Sequence, residues 1–310
     1  MPSHHHGFQL PPDWLTYIDD ILTRCHDLIE RQIWEGLHIS RVKSWMANFD
    51  TDEQRYFAAC ILDSLIYRSE SQTRALITQL FQRVLPDLTR NCIPPIGITA
   101  DWLQILNKST AYDPAVRLVV AVKQSDPPTK SAHFIARLMK RYMNIGEDWI
   151  INPSEVDPCI TKGIKTFIFI DDFLGTGSQF ESFFIEEQLE CLLPKTYMVY
   201  APLVAHCSGV QHLYNIFPNL HVRAVENLDE SHSVFNSVAP CFSDGINTPD
   251  SAKEFYFRLL KTKGIDINGP ERRGFGHLEL AYAFSHAAPD NCLPILWWDE
   301  TPTWKPLFKR

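Results

Sequence analysis

The order of apolar and polar positions changes character about a third of the way along the chain. From residue 12 to about 90 apolar residues recur at intervals of three and four, as in PPDWLTYIDDILTRCHDLIERQI, which is the period of helices with one buried face. Two prolines precede that first helix. Asp50, Thr51 and Glu53 open DEQRYFAACILDSLIYRS in a capping arrangement, and Ser69 or Ser71 opens QTRALITQLFQRVL. Three or four helices with little strand signal are therefore predicted as an N-terminal unit over residues 1–95, with Pro94 and Pro95 at its boundary.

From about residue 111 short apolar runs alternate with amphipathic stretches. RLVVAVKQ, KTFIFIDD, TYMVYAPLVAH and LHVRAVENL read as strands; SAHFIARLMKRYM, SQFESFFIEEQLECLL and CSGVQHLYNIF read as helices. Strands that are apolar throughout are covered on both faces, and their alternation with helices predicts right-handed crossovers and a parallel sheet. The predicted fold is α/β: a parallel-sheet domain over residues 96–310 preceded by the helical unit. In open sheets of this kind ligands gather beyond the carboxyl ends of the strands, where IDDFLGTGS and VKQSDPPTKS both fall.

Composition narrows the function classes. With 310 residues, 45% hydrophobic and 21% charged, the chain can bury a substantial core and is globular. A net charge of −8 excludes a surface that is a nucleic-acid or membrane footprint throughout. No run approaches the roughly 20 apolar residues of a membrane span, and MPSHHHGFQLPPDW lacks the pattern of a secretory signal, so a cytoplasmic protein is expected. The eight cysteines contain no CxxC pair and are expected to be reduced, mostly buried thiols; His4, His5 and His6 form an N-terminal tract rather than a ligand set. ISRVKSWMANF has the look of a small DNA-binding helix. Residues 1–110 nevertheless carry 10 Lys and Arg against 13 Asp and Glu, which favours packing or partner docking.

TFIFIDDFLGTGSQF holds the densest chemistry. A Walker B reading requires a GxxxxGK[ST] loop, which the sequence lacks, and a dinucleotide fingerprint requires a third glycine where Ser178, Gln179 and Phe180 stand. What fits is four apolar residues, two acids, a short spacer, Thr and Gly, with a helix opening at once. Over Phe167 to Ser178 this resembles the phosphoribosyl pyrophosphate motif of type I phosphoribosyltransferases, whose domain is Rossmann-like. Adjacent carboxylates can accept hydrogen bonds from vicinal ribose hydroxyls, and a Gly-rich turn into a helix presents N–H groups to a 5′-phosphate. The resemblance implies that Asp171 and Asp172 hold the ribose hydroxyls and that Gly175, Thr176, Gly177 and Ser178 cradle the phosphate. Gln179 stands where the family pattern usually ends in Thr or Ser, so the Ser178 hydroxyl or the Gln179 amide must supply that contact.

A second loop is expected to hold the diphosphate. Residues 111–145 carry six Lys and Arg against two Asp, a local excess of cations in an acidic chain, and Lys130 with Ser131 at the helix start is the first candidate, Lys123 the second. Arg137, Lys140 and Arg141 read as a solvated helix face. The C-terminal GFGHLELAYAFSHAAPDNCLPILWWDETPTWKPLFKR adds His277, His286, Asp290, Asn291, Trp297, Trp298 and Trp304; the tryptophans read as a core lid over the sheet, with His286 as a candidate to read a base edge. Glu226 and Asp229 read as loop charges.

Together with WMANFDTDEQRYFAACILDSLIY and TKSAHFIARL, these segments resemble the phosphoribosyltransferase-like effector family of bacterial conflict systems, some of them retron-associated anti-phage operons. The resemblance implies a glycosyltransferase-class reaction at ribose C1′ of phosphoribosyl diphosphate or a nucleotide. It also implies operon-encoded partners such as a reverse transcriptase and its DNA product, with direct nucleic-acid binding left open. Chemistry at C1′ calls for Mg2+ spanning ribose and diphosphate oxygens, reached by Asp171 and Asp172 through ribose hydroxyls or water. Catalytic Asp171, Asp172 and Lys130 would then serve an enzyme. A nucleotide-sensing regulatory subunit that keeps the site without turnover is the alternative, favoured by Gln179 and by the lack of a base-selecting hood.

Overall fold

The computed structural model describes residues 7–86, 106–107, 116–123, 125–126, 131–238, 242, 244–265, 269–299 and 301–308. Lys130, Pro94, Pro95, His4, His5 and His6, singled out above, lie outside the described residues. The chain divides into two compact units, one formed by residues 72–228 and the other by residues 1–71 together with 229–310.

The first unit holds the parallel sheet that the apolar runs predict. Its strands are β2 (Val116–Val120), β3 (Ile150–Ile151), β4 (Thr166–Leu174), β5 (Tyr197–His206) and β6 (Leu220–Val222), in spatial order β3-β2-β4-β5-β6, with β7 (Glu226–Leu228) also pairing with β5. Every pairing is parallel. Period-two alternation gives β4 two faces. Phe167 and Phe169 join Met198 and Tyr200 beneath Phe180, Phe183 and Phe184 of the helix Ser178–Glu186, while Val120, Val122 and Ala132 form a second cluster, to which the helix Ser131–Tyr142 contributes Ala132. Burying a Phe side chain contributes about 1.5–3 kcal/mol, so these layers dominate the stability of the sheet.

The strand order fixes where a ligand can sit. The chain leaves β2 through the helix Ser131–Tyr142 and pairs β3 on one side of β2, then pairs β4 on the other and continues through β5 to β6. The order therefore reverses between β2 and β4, and the crevice outside their carboxyl ends is the switch point of the sheet.

The second unit gathers the two ends of the chain. Helices Trp14–Glu30, Ile39–Met46 and Asp52–Asp63 lie in it with Pro249–Thr262, and the short strand β1 (Ile66–Arg68) pairs in parallel with β8 (Tyr282–Phe284). Thr51 caps the third of these helices by accepting from the Gln54 N–H at 3.3 Å, as its sequence position predicts. The division departs from the 1–95 and 96–310 units expected above for a physical reason. Phe8 and Phe57 pack against Phe242 and Phe255, the Trp45 indole donates to the Ile295 carbonyl at 2.8 Å, and Asn48 exchanges two hydrogen bonds with the Lys305 backbone. Trp297 and Trp304 are buried, but in the core of the unit formed by the chain ends, whereas the lid reading expected them over the sheet. Among the described cysteines Cys25, Cys60, Cys159 and Cys292 are buried free thiols, Cys191 is exposed and Cys207 half-buried, so most are buried, as expected. Among the described residues no helix is long and apolar enough to cross a membrane.

Candidate functional site

The two acids of the motif lie on opposite faces of the sheet, because successive residues of a strand face opposite ways. Asp171 lies on the face of Phe169 and Tyr200. It accepts the Tyr200 hydroxyl at 2.8 Å on one oxygen and the Asp172 N–H at 2.9 Å on the other, and is 7% exposed. Tyr200 is itself fixed by stacking on Phe180 at a centroid distance of 3.7 Å. Asp171 is thus a core carboxyl braced by a phenol. Burial, followed by the neighbouring charge of Asp172, pushes its pKa well above the usual carboxylate range, against the lowering effect of the Tyr200 hydrogen bond.

Asp172, buried to the same 7% exposure, lies on the other face, where Ser131 Oγ donates to its Oδ1 at 2.8 Å. The sequence-predicted residues Ser131 and Asp172 therefore meet at the switch point, joining the start of the helix after β2 to the end of β4. A serine hydroxyl is an exchangeable partner for a carboxylate in a way that a packed tyrosine is not, since it can rotate away at little cost.

The glycine loop closes the site. Gly177 takes φ +90°, a left-handed conformation that side chains disfavour, and the helix Ser178–Glu186 starts from it with no side-chain cap. Its first N–H groups are then available to an anion, at the positive end of the helix dipole. Thr176 and Ser178 bring their hydroxyls within 3.3 Å of each other, both half-buried, while Gln179 is exposed. The loop rests on the helix Cys207–Ile216: a Cβ on Gly209 would stand 2.2 Å from the Gly175 carbonyl oxygen, and one on Gly177 would stand 2.9 Å from the His212 ring. His212 in turn pairs with Glu181 at 2.7 Å, and the buried His206 caps the same helix through Ser208.

The other predicted residues fall elsewhere. Lys123 makes a 2.6 Å ion pair with Glu186, the last residue of the helix whose first residue adjoins the loop. His286 belongs to the other unit, where its ring stacks on Phe284. Asp229 accepts the Ser231 N–H in a capped turn, and Glu226 sits within β7. Sequence reasoning missed Tyr200, Gly209, His206 and the Glu181–His212 pair. Tyr200 reads as one more aromatic in an apolar strand, and only its registration opposite Phe169 brings it to Asp171.

A family model described as PRTase-CE, covering phosphoribosyltransferase-like conflict effectors, matches residues 42–310. The chain belongs to the PRTase-CE family. Neither curated proteins nor solved structures gave a match. The family match accords with the parallel sheet and with the helical segment that precedes it.

The raised pKa of Asp171 has a consequence for stability. In the unfolded chain this carboxyl titrates near its ordinary value of about 3.9, and in the folded chain it stays protonated to higher pH. Its contribution to stability is complete below the unfolded value and is lost as pH rises toward the folded one, because the folded state then binds a proton that the unfolded state has released. Asp171→Asn, which keeps a neutral group of the same shape, is expected to become stable relative to wild type as pH rises from 4 to 7. Urea denaturation at a series of pH values checks this; a difference that is flat or of opposite slope contradicts it.

Proposed function

We propose that this PRTase-CE chain binds a phosphorylated ribose, as phosphoribosyl diphosphate or a nucleotide, in the crevice between β2 and β4, and acts at ribose C1′ as an effector of anti-phage defence. One observation carries the reading: Asp172 and Ser131 come together at the switch point of a parallel sheet, on the strand that runs into a glycine loop and an uncapped helix.

In this reading the N–H groups of Gly175–Ser178, with the Thr176 and Ser178 hydroxyls, hold the 5′-phosphate. Asp172 accepts a ribose hydroxyl in exchange for Ser131, and Asp171 orients Asp172 from behind through its backbone N–H. The basic residues after β2, Lys130 foremost, offset the charge of a leaving diphosphate. With phosphoribosyl diphosphate the C1′–O bond breaks with its electron pair leaving on the diphosphate, an acceptor lone pair forms the new bond to C1′ and the acceptor's proton passes to solvent; with a nucleotide the C1′–N bond breaks and the base leaves with the pair. Mg2+ suits this donor set in a limited sense: among the described residues no three acidic, His or Cys side chains gather as a metal cage, and Mg2+ commonly takes one or two carboxylates plus ligand phosphates. Asp172 is the residue that would approach it, and the ion would supply charge neutralisation at the diphosphate.

The second reading is a nucleotide-sensing subunit without turnover, docked on operon-encoded partners such as a reverse transcriptase and its DNA product. The engagement of Asp171 by the packed Tyr200 hydroxyl favours it, because in this reading one acid, Asp172, suffices for binding. Metabolite pools measured by mass spectrometry separate the two, in cells carrying the chain with its operon partners, before and after phage challenge. The enzyme reading predicts loss of phosphoribosyl diphosphate, NAD or another nucleotide with wild type and not with Asp172→Asn. Unchanged pools with wild type, in cells where defence operates, contradict depletion of a small molecule.

A further inference from the structure

We propose that Tyr200 is a positioning residue for the sugar half of the sheet site: acting through Asp171, its hydroxyl sets where the Asp172 carboxylate stands. This rests on the reading that Asp172 takes a ribose hydroxyl, and deepens it. The pairing of β2 with β4 ends at Val120 opposite Ile170, and the Asp172 N–H, past that last rung, donates to a side chain, Asp171 Oδ1, at 2.9 Å. The second oxygen of the same carboxyl accepts the Tyr200 hydroxyl at 2.8 Å. A carboxyl held at both oxygens, by its own strand and by β5, cannot turn without breaking one of the two bonds. The backbone of Asp172 is fixed by the residue that Tyr200 holds, and its side chain leaves for the opposite face, where Ser131 meets it.

Packing alone does not call for a tyrosine at this position. The other aromatic rings of this core cluster are phenylalanines, and Tyr200 is 1% exposed. A buried hydroxyl costs free energy unless it is hydrogen-bonded, and a buried carboxyl costs more; apolar groups of like shape in place of both would be nearly neutral or stabilising. Burial, and after it the carboxylate of Asp171, pushes the Tyr200 pKa well above its usual value, which keeps the phenol protonated as a donor. The ring stacks on Phe180, the third residue of the helix Ser178–Glu186 that starts at the glycine loop, at a centroid distance of 3.7 Å. One residue of β5 thus touches both the helix that follows the loop and the acid at the strand end, all within the unit of residues 72–228. Asp171→Asn keeps this brace, because its Oδ1 still accepts the Asp172 N–H and its Nδ2 donates to the phenol oxygen.

Tyr200→Phe removes the hydroxyl and keeps the ring on Phe180. Isothermal titration calorimetry compares ribose 5-phosphate with inorganic phosphate, each titrated into the full chain. Tyr200→Phe is expected to weaken ribose 5-phosphate about threefold to tenfold, the range of one neutral hydrogen bond, while inorganic phosphate stays within about twofold of wild type. In an Asp172→Asn background the same change is expected to add less than about twofold, because its route to the sugar is already lost. Circular dichroism, with the retained phosphate binding, checks that the variant is folded. Unchanged ribose 5-phosphate affinity in Tyr200→Phe, an equal loss for both ligands, or full additivity with Asp172→Asn overturns the positioning role and leaves the ribose site standing. A wild type that binds ribose 5-phosphate no more tightly than inorganic phosphate contradicts the ribose reading itself, and the role of Tyr200 with it.

Discussion

Gly209→Ala is expected to lower the stability of the sheet unit and to abolish phosphate binding at the glycine loop. Alanine is the better helix former, by about 0.8–1.0 kcal/mol in a helix interior, so propensity alone predicts a gain. The added methyl would nevertheless stand 2.2 Å from the Gly175 carbonyl oxygen, 3.0 Å from its carbon and 3.0 Å from Leu174. Two of the three are backbone atoms, which no side-chain rotation can withdraw. Relief requires the loop or the helix Cys207–Ile216 to move, and overpacking of this kind costs about 1–3 kcal/mol. The clash therefore outweighs the propensity. Because the atoms displaced belong to the residue that opens the proposed phosphate cradle, binding is expected to fall along with stability. Gly163→Ala is the control: Gly163 has φ +92° but nothing within 4 Å of a Cβ, so only backbone strain of about 1–2 kcal/mol is expected, with phosphate binding retained. Thermal unfolding with and without inorganic phosphate reads both effects. Retained stabilisation by phosphate in Gly209→Ala would show that the Gly175–Gly209 contact does not shape the cradle.

The parallel sheet was legible in the sequence because four apolar runs were long enough to exclude other assignments, and the strand-end motif was legible because its acids and glycines are adjacent in the chain. What escaped depends on distance. Ile150–Ile151 is too short to signal a strand, and Ile66–Arg68 finds its partner more than 200 positions later, in Tyr282–Phe284. The two-unit division escaped for the same reason: Trp45 to Ile295 and Asn48 to Lys305 are contacts that no local composition shift announces. Lys123 was assigned to a phosphate by local charge, and that assignment could not foresee its ion pair with Glu186, 63 residues away. The opposite orientations of Asp171 and Asp172 follow from the period of a strand. Reading the two acids as one motif, in place of two successive strand residues, hid that difference.

The unequal roles of the acids give the largest expected effect on function. Asp172→Asn removes the charge and one acceptor from the carboxylate proposed to face the ligand while conserving shape. A hydrogen bond to a charged group is worth about 1.5–3 kcal/mol, so affinity for a phosphorylated ribose is expected to fall roughly tenfold to a hundredfold. Asp171→Asn alters a group that is hydrogen-bonded to Tyr200 and favoured in its neutral form, so its effect on affinity is expected to stay within about threefold. Loss of the biological effect is expected to follow Asp172 in the same order.

Isothermal titration calorimetry of phosphoribosyl diphosphate with Mg2+ into wild type, Asp171→Asn and Asp172→Asn tests the account most directly. The predicted result is saturable binding to wild type, near-wild-type affinity for Asp171→Asn and a loss of at least about tenfold for Asp172→Asn. Equal losses in the two variants would contradict the assignment of Asp172 as the ligand-facing acid, and no binding to the folded wild type would contradict the phosphorylated-ribose site itself.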